Sequence, residues 1–141
     1  MLARLVFFAV SLVVAATASA NPLIGVWKSD RDLTLLEQEK FATLTLEQRE
    51  VLSTPDLFGQ AVAIYGDREV EFHLTEGSMR LSYRIVATGS DFVEIEYDDE
   101  QGAEPVRKRL LLQGGLLYVP VEEMGFHEIF RRIGAPAAPA P

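Results

Sequence analysis

From residue 60 onward, apolar and polar side chains alternate with a period of two, the pattern of strands that bury one face. Glycines and other turn residues interrupt this alternation at short intervals, which favours hairpins joined one after another. With an apolar run before residue 29, the pattern predicts about eight strands. They span residues 23–28, 60–65, 68–76, 79–88, 91–97, 106–113, 116–121 and 126–133, and the last run also fits a short helix.

A two-residue turn at Gly77 and Ser78 predicts the register of one hairpin. This turn places Glu71 opposite Arg84 on the face that is exposed to solvent, and it joins apolar residues on the other face. The predicted pairs are Val70 with Ile85, Phe72 with Tyr83, Leu74 with Leu81, and His73 with Ser82.

Two further hairpins follow if residues 98–105 form a loop and Gly114 and Gly115 form a turn. The loop pairs acidic with basic residues on the outer face, and antiparallel strands favour such pairs by a few tenths of a kcal/mol each. It joins Glu94 with Arg109, Glu96 with Arg107, Val93 with Leu110, Ile95 with Lys108, and Tyr97 with Val106. The glycine turn joins Leu112 with Leu117 and Leu110 with Val119.

A helical segment lies between the first two predicted strands, at residues 30–53. Asp30 is a suitable N-cap for a first helix. Thr45 and Gln48 have the spacing of a capping box for a second helix, which Pro55 ends. Glutamates on both helices disfavour DNA binding, because they would face phosphates.

An open meander of this size leaves two unpaired sheet edges, and closure into a barrel removes both. We therefore expect a mainly β fold: an antiparallel meander barrel of about eight strands with a helical insert between strands 1 and 2. In that barrel the first strand lies beside the last, and the insert covers one mouth.

The first twenty residues have the pattern of a secretory signal peptide. Arg4 precedes an apolar run at residues 5–16, and small residues before Asn21 predict cleavage after Ala20. The run is short for a membrane span, although an uncleaved anchor is the alternative. The chain has no cysteine, which excludes a lipid anchor and favours the bacterial periplasm over eukaryotic secretion.

Export defines three predicted segments: a signal peptide at 1–20, one barrel domain at 21–133, and an alanine- and proline-rich tail at 134–141 that we expect to be disordered. No transmembrane segment is expected after cleavage. The net charge of −8 disfavours nucleic acid as a partner and indicates a soluble, acidic surface.

The opening strand contains Gly25, Val26, Trp27 and Lys28. A Gly-x-Trp motif at the start of an eight-stranded meander resembles the lipocalin and calycin barrels, and fatty-acid-binding proteins also open with Gly-x-Trp-Lys before two helices. The resemblance implies that Trp27 packs at the closed end of the barrel, that Arg131 or Arg132 crosses its ring, and that Gly25 permits close approach of the neighbouring backbone.

The chain departs from both families at their second motifs. The lipocalin Thr-Asp-Tyr motif is absent, and the late Arg-x-Tyr of fatty-acid-binding proteins is replaced by Phe130, Arg131 and Arg132. The opening also resembles that of small bacterial envelope proteins, which adds no activity.

Lys108 is the most unusual position, because its register directs it to the apolar face. A lone buried ammonium is costly, so this side chain either extends to the rim or meets an anion. We predict that Lys108 binds the anionic group of a ligand that lies among Phe72, Tyr83 and Tyr97.

No catalytic, metal-binding or cofactor motif is present. His73 and His127 lack metal-ligand spacing, and the acidic run at 98–100 lacks that of a calcium loop. We therefore expect a periplasmic, non-enzymatic barrel that binds a small apolar or amphipathic ligand. The alternative is a cell-envelope protein-interaction module with a filled core, or an inhibitor of an exported hydrolase.

Overall fold

A computed structural model describes residues 21–40, 45–52, 54, 57–98, 104–121 and 125–134 of the chain. In this part, eight strands and two helices occur in the predicted order, and the last segment is a strand. The strands are β1 (Gly25–Ser29), β2 (Val62–Tyr65), β3 (Glu69–Leu74), β4 (Gly77–Thr88), β5 (Phe92–Tyr97), β6 (Val106–Gln113), β7 (Leu116–Val121) and β8 (Phe126–Gly134). The helices are α1 (Arg31–Lys40) and α2 (Leu46–Leu52), both between β1 and β2. The predicted signal peptide and residues 135–141 of the predicted tail lie outside the described residues.

Each strand pairs antiparallel with the next, and β8 pairs with β1, so the sheet closes into a barrel. The predicted fold class and closure are thereby confirmed. Because successive strands alternate in direction, the connections after β1, β3, β5 and β7 share one end, which we call the insert end. The N-terminal segment and the other turns share the opposite, N-terminal end.

The interior is lined by alternate residues of every strand, as the period of two predicts. The fully buried side chains include Trp27, Val93, Leu110 and Leu117, each at most 1 % exposed. They form one cluster with buried residues of the other strands. Closure therefore gives the small domain a continuous apolar core without disulfides.

The predicted register of the β3–β4 hairpin is wrong. The turn is formed by residues 75–76 rather than by Gly77 and Ser78, and Glu71 lies opposite Arg80 instead of Arg84. The observed pairs also include Val70 with Leu81, Phe72 with Met79, and His73 with Ser78. The register differs by four residues, an even number, so every side chain keeps its predicted face.

The observed register gives each arginine of β4 its own acidic partner. Arg80 Nη2 lies 3.2 Å from Glu71 Oε2, and Arg84 is left to pair with Glu96 on β5. The predicted register would have placed Arg84 opposite Glu71 and Arg80 opposite Thr75, which carries no charge. Separate partners for the two arginines therefore favour the observed hairpin.

The predicted registers of β5–β6 and β6–β7 are confirmed at the pairs that the structure shows. Glu96 Oε2 is 3.1 Å from Arg107 Nη2, and Glu94 Oε2 is 3.2 Å from Arg109 Nη2. These ion pairs cross the outer face of the sheet, where they are exposed to solvent on the arginine side. The outer face of this part of the barrel thus carries alternating, neutralised charge.

Both predicted helix caps are confirmed. The Leu33 amide donates to Asp30 Oδ1 at 3.0 Å ahead of α1. The capping box forms reciprocally, because the Gln48 amide donates to Thr45 Oγ1 at 3.2 Å and the Thr45 amide donates to Gln48 Oε1 at 3.0 Å.

Helix α1 begins where β1 ends. From this point on, the start of α1 replaces β1 as the hydrogen-bonding partner of β8. The Asp30 amide donates to the Ile129 carbonyl at 2.8 Å, and the Ile129 amide donates to Thr34 Oγ1 at 3.0 Å. Thr34 is completely buried by this contact. The helix therefore fixes the edge of β8 at the insert end without a further strand. The helices of the described residues are too short or too polar for a membrane crossing.

A cavity at the insert end and a closed N-terminal end

The barrel contains an internal cavity of about 230 Å³. Its lining is mainly aliphatic and aromatic, and Phe72, Met79, Tyr97 and Lys108 line it close to the insert end. Met79 is 40 % exposed, so the cavity reaches the surface at this end. Three of the four predicted ligand residues, Phe72, Tyr97 and Lys108, are therefore brought together.

Lys108 points into the barrel, opposite Ile95, while its neighbours Arg107 and Arg109 point outward. Its Nζ lies 5.9 Å from the centroid of the Tyr97 ring. Within the described residues it forms no ion pair, and the neighbour of its ammonium that the structure shows is the aromatic ring of Tyr97. A cation in this position attracts an anionic group that enters from the insert end.

Tyr65 is a lining residue that the sequence did not single out. It is 3 % exposed, and its ring packs edge-on against Phe72 and Tyr83, with centroid distances of 6.3 and 5.6 Å. Burial raises the pKa of its phenol, so the hydroxyl keeps its proton. That hydroxyl donates to no other described residue, and Tyr65 is one of the residues that line the cavity.

Tyr83, the fourth predicted ligand residue, lies away from the cavity lining. Its hydroxyl donates to the Gly66 carbonyl and accepts a hydrogen bond of 2.7 Å from Asn21 Nδ2. Both contacts are at the N-terminal end of the barrel. The hydroxyl thus already donates one hydrogen bond and accepts another, and through them Tyr83 holds the N-terminal segment to the sheet.

The N-terminal end is closed by the chain that precedes β1. Leu23 is completely buried, and Trp27 Nε1 donates to the Leu23 carbonyl at 2.8 Å. The guanidinium of Arg132 lies over the Trp27 ring, with Cζ 4.4 Å from the centroid, and it also donates to the carbonyls of Ile24 and Pro22. The arrangement that the Gly-x-Trp resemblance implies is therefore found with Arg132.

Gly25 has a φ of +144°, and a Cβ there would lie 2.9 Å from Arg132 Nη1 and 3.3 Å from the Gly134 carbonyl oxygen. The glycine therefore gives room to the arginine as well as to the backbone of β8. Arg131, the other predicted candidate, points outward, and its Nε donates to Asp30 Oδ2 at 3.1 Å.

Glu128 is an interior carboxylate that the sequence reasoning missed. It lies on the same face of β8 as the buried Phe126 and Phe130, and Ser29 Oγ donates to its Oε1 at 2.7 Å. The Gly59 amide in turn donates to Ser29 Oγ at 2.9 Å. Burial raises the pKa of Glu128, and the Ser29 hydrogen bond offsets part of this effect.

The two histidines are each paired with one glutamate. His73 Nε2 is 2.9 Å from Glu71 Oε1 on the outer face, and His127 Nδ1 is 3.3 Å from Glu37 Oε1 on α1. The described residues contain no group of three or more side chains that would hold a metal ion.

The fold and cavity define a class: a small, closed, eight-stranded antiparallel barrel with an apolar interior, consistent with a lipocalin-like architecture. In comparisons with known proteins, no family model, curated protein or solved structure matches the chain.

Proposed function

We propose that this chain is an exported, lipocalin-like binding protein whose barrel holds a small amphipathic anion. The main support is a cavity of about 230 Å³. The side chains that line it are apolar except for the ammonium of Lys108 and the hydroxyls of Tyr65 and Tyr97. The proposal assigns no catalytic residue and no cofactor. Export to the periplasm rests on the signal-like pattern of residues 1–20.

The cavity volume restricts the ligand to a small molecule. A cavity of about 150 Å³ admits benzene, so this one accommodates roughly nine non-hydrogen atoms. Ligand sites for drug-sized molecules begin at about 300 Å³. The volume therefore favours a small aromatic or short-chain acid over a long-chain fatty acid.

The positions of the polar groups restrict the ligand further. Lys108 lies near the mouth beside the Tyr97 ring, whereas Tyr65 is buried against the rings of Phe72 and Tyr83. In a ligand with an apolar body and one carboxylate, the carboxylate pairs with the ammonium of Lys108. The apolar body then contacts the aliphatic side chains of the lining. A neutral apolar ligand of the same size would leave the ammonium uncompensated.

Benzoate, which has the required size and charge, is the probe that tests the proposal. Calorimetric titration should give saturable binding with a dissociation constant between about 10 μM and 1 mM, given the usual limits per ligand atom. Toluene and benzyl alcohol should bind more weakly, and palmitate should bind weakly or not at all. Competition between benzoate and octanoate would show that both use the same cavity.

The matched variants are Lys108→Met and Arg109→Met. The first removes the interior cation, and the second removes an adjacent outward cation that pairs with Glu94. We expect Lys108→Met to weaken benzoate binding by about tenfold or more and Arg109→Met to leave it within about twofold. Equal binding by wild type and Lys108→Met, or no binding of any small acid, would refute the proposal.

A protein-interaction module is the second candidate function. Its supporting observation is the apolar rim at the insert end, where Leu74 and Met79 are 47 % and 40 % exposed. Native mass spectrometry of the protein from its own periplasm distinguishes the two: a small co-purifying mass supports the ligand, whereas a stoichiometric protein partner supports the module.

A further inference from the structure

A second concave site lies on the outer surface, where the end of β1, the start of α1 and β8 meet. This groove has a volume of about 420 Å³, and three cations line it: Lys28, Arg31 and Arg131. Asp30 is its single lining carboxylate, and Phe58 and Ile133 supply apolar walls. We call this site the basic groove.

Two of its cations face each other in the sheet. Lys28 and Arg131 are direct cross-strand partners on the outer face of β1 and β8, and like charges in that position are destabilising. Asp30 compensates only part of this repulsion, because its Oδ2 accepts from Arg131 and its Oδ1 caps the Leu33 amide. Lys28 and Arg31 form no ion pair with any described residue.

Elsewhere on the outer face of the barrel, arginine side chains are paired with acidic side chains. Arg84, Arg107 and Arg109 each lie beside a glutamate on a neighbouring strand. An excess of positive charge in one concave place is therefore unusual in a chain whose net charge is −8. An anion that binds in the groove would reduce the repulsion between these cations.

We infer that the basic groove binds the phosphate group of an organic phosphate. Three cations from three separate elements surround one space, and a phosphomonoester presents three acceptor oxygens to them. The amide of Leu33 is already capped by Asp30, so side chains rather than the helix terminus hold the group. The groove is larger than a phosphate ion, and its apolar walls accommodate the organic part of the ligand.

This site is separate from the cavity, because the two share no lining residue. Glycerol 3-phosphate is the soluble probe, and vesicles of phosphatidylglycerol, with phosphatidylcholine vesicles as reference, present phosphate on a lipid. Amide chemical shifts of the 15N-labelled full chain report the location of binding, and co-sedimentation reports vesicle binding.

We expect saturable shifts of residues around the groove with glycerol 3-phosphate and no co-sedimentation, since the net charge opposes an anionic surface. Lys28→Gln should weaken binding by about tenfold, and Arg107→Gln, which removes an equal but paired charge, should change it by less than about twofold. Circular dichroism of both variants controls for folding.

Vesicle binding that Lys28→Gln abolishes would also support a phosphate site and would assign it to a lipid head group. The inference is overturned if neither probe binds saturably, or if Arg107→Gln weakens binding as much as Lys28→Gln does. The second result would show that only overall charge matters.

Discussion

Arg132 lies over the indole of Trp27, its direct cross-strand partner, and closes the N-terminal end of the barrel. Its two terminal nitrogens donate to the Ile24 and Pro22 carbonyls at 2.9 and 3.0 Å. One side chain therefore joins the last strand, the first strand and the segment before it. This contact connects the two strands whose pairing closes the sheet.

Replacement of Arg132 by methionine should destabilise the protein through loss of this contact. The cation–π interaction contributes about 0.5–2 kcal/mol, and unpaired carbonyls add to the cost, so we expect the free energy of unfolding to fall by about 1–3 kcal/mol. Urea denaturation measures the change. Arg131→Met, one residue away but exposed and paired with Asp30, should cost less than about 1 kcal/mol. Similar losses in the two variants would contradict the assigned role.

Glu128 should make stability decrease as the pH rises. Its folded-state pKa is raised by burial above the ordinary value of 4.5, so the folded state binds the proton more tightly than the unfolded state does. The free energy of unfolding therefore falls from about pH 4.5 upward through the raised pKa. Glu128→Gln removes the buried charge and should raise Tm at pH 8, with little difference from wild type at pH 4. A variant that is less stable at pH 8 would refute this account.

Glu96 should show the opposite dependence. A hydrogen bond from Arg107 holds the pKa of its carboxyl below the ordinary value of 4.5, and Arg84 contributes in the same direction. Its stabilising effect is present above about pH 4.5 and is lost as the pH falls through the lowered pKa. Glu96→Gln should therefore lower Tm at pH 7, and the difference from wild type should disappear once the pH has fallen below the lowered pKa of Glu96. Added salt should reduce the difference at pH 7.

Asn21 should be the first residue of the exported protein. Its side chain bonds the Tyr83 hydroxyl, and its Oδ1 accepts from the Leu23 amide at 2.9 Å, so it belongs to the closed end of the barrel. N-terminal sequencing of periplasmic material should begin at this residue, in agreement with cleavage after Ala20. A longer N-terminus in the membrane fraction would instead support an anchored protein.

The β3–β4 and β5–β6 hairpins show how far the sequence alone determines the register of paired strands. For β5–β6, the alternation and two Glu–Arg pairs agree on one register, and the prediction is confirmed. For β3–β4, Glu71 has an arginine on the same face at residue 80 and at residue 84, four positions apart. A shift of four residues preserves both the alternation and the charge pair, so these criteria could not separate the two registers.

The sequence also predicted only some of the side chains of the candidate site. The period of two was sufficient to direct Lys108 inward, because its strand has a long and regular pattern. It was not sufficient to find Tyr65, since the curvature of the closed sheet decides which inward residues border the cavity. Glu128 could have been found, because it lies at every second position with Phe126 and Phe130 and so shares their inward face, but its charge argued against an inward position.

Leu110→Ala should change the size of the ligand that the barrel accepts. Leu110 is 1 % exposed and lines the cavity, so its truncation joins new space to the existing 230 Å³. The free energy of unfolding should fall by about 2–5 kcal/mol, as for other buried leucines. The variant should then bind 2-naphthoate at least as tightly as benzoate, whereas wild type should prefer benzoate. Because a bound ligand stabilises the folded state, 2-naphthoate should raise Tm in the variant more than in wild type. Unchanged size preference in a folded Leu110→Ala would show that the acids bind outside the barrel.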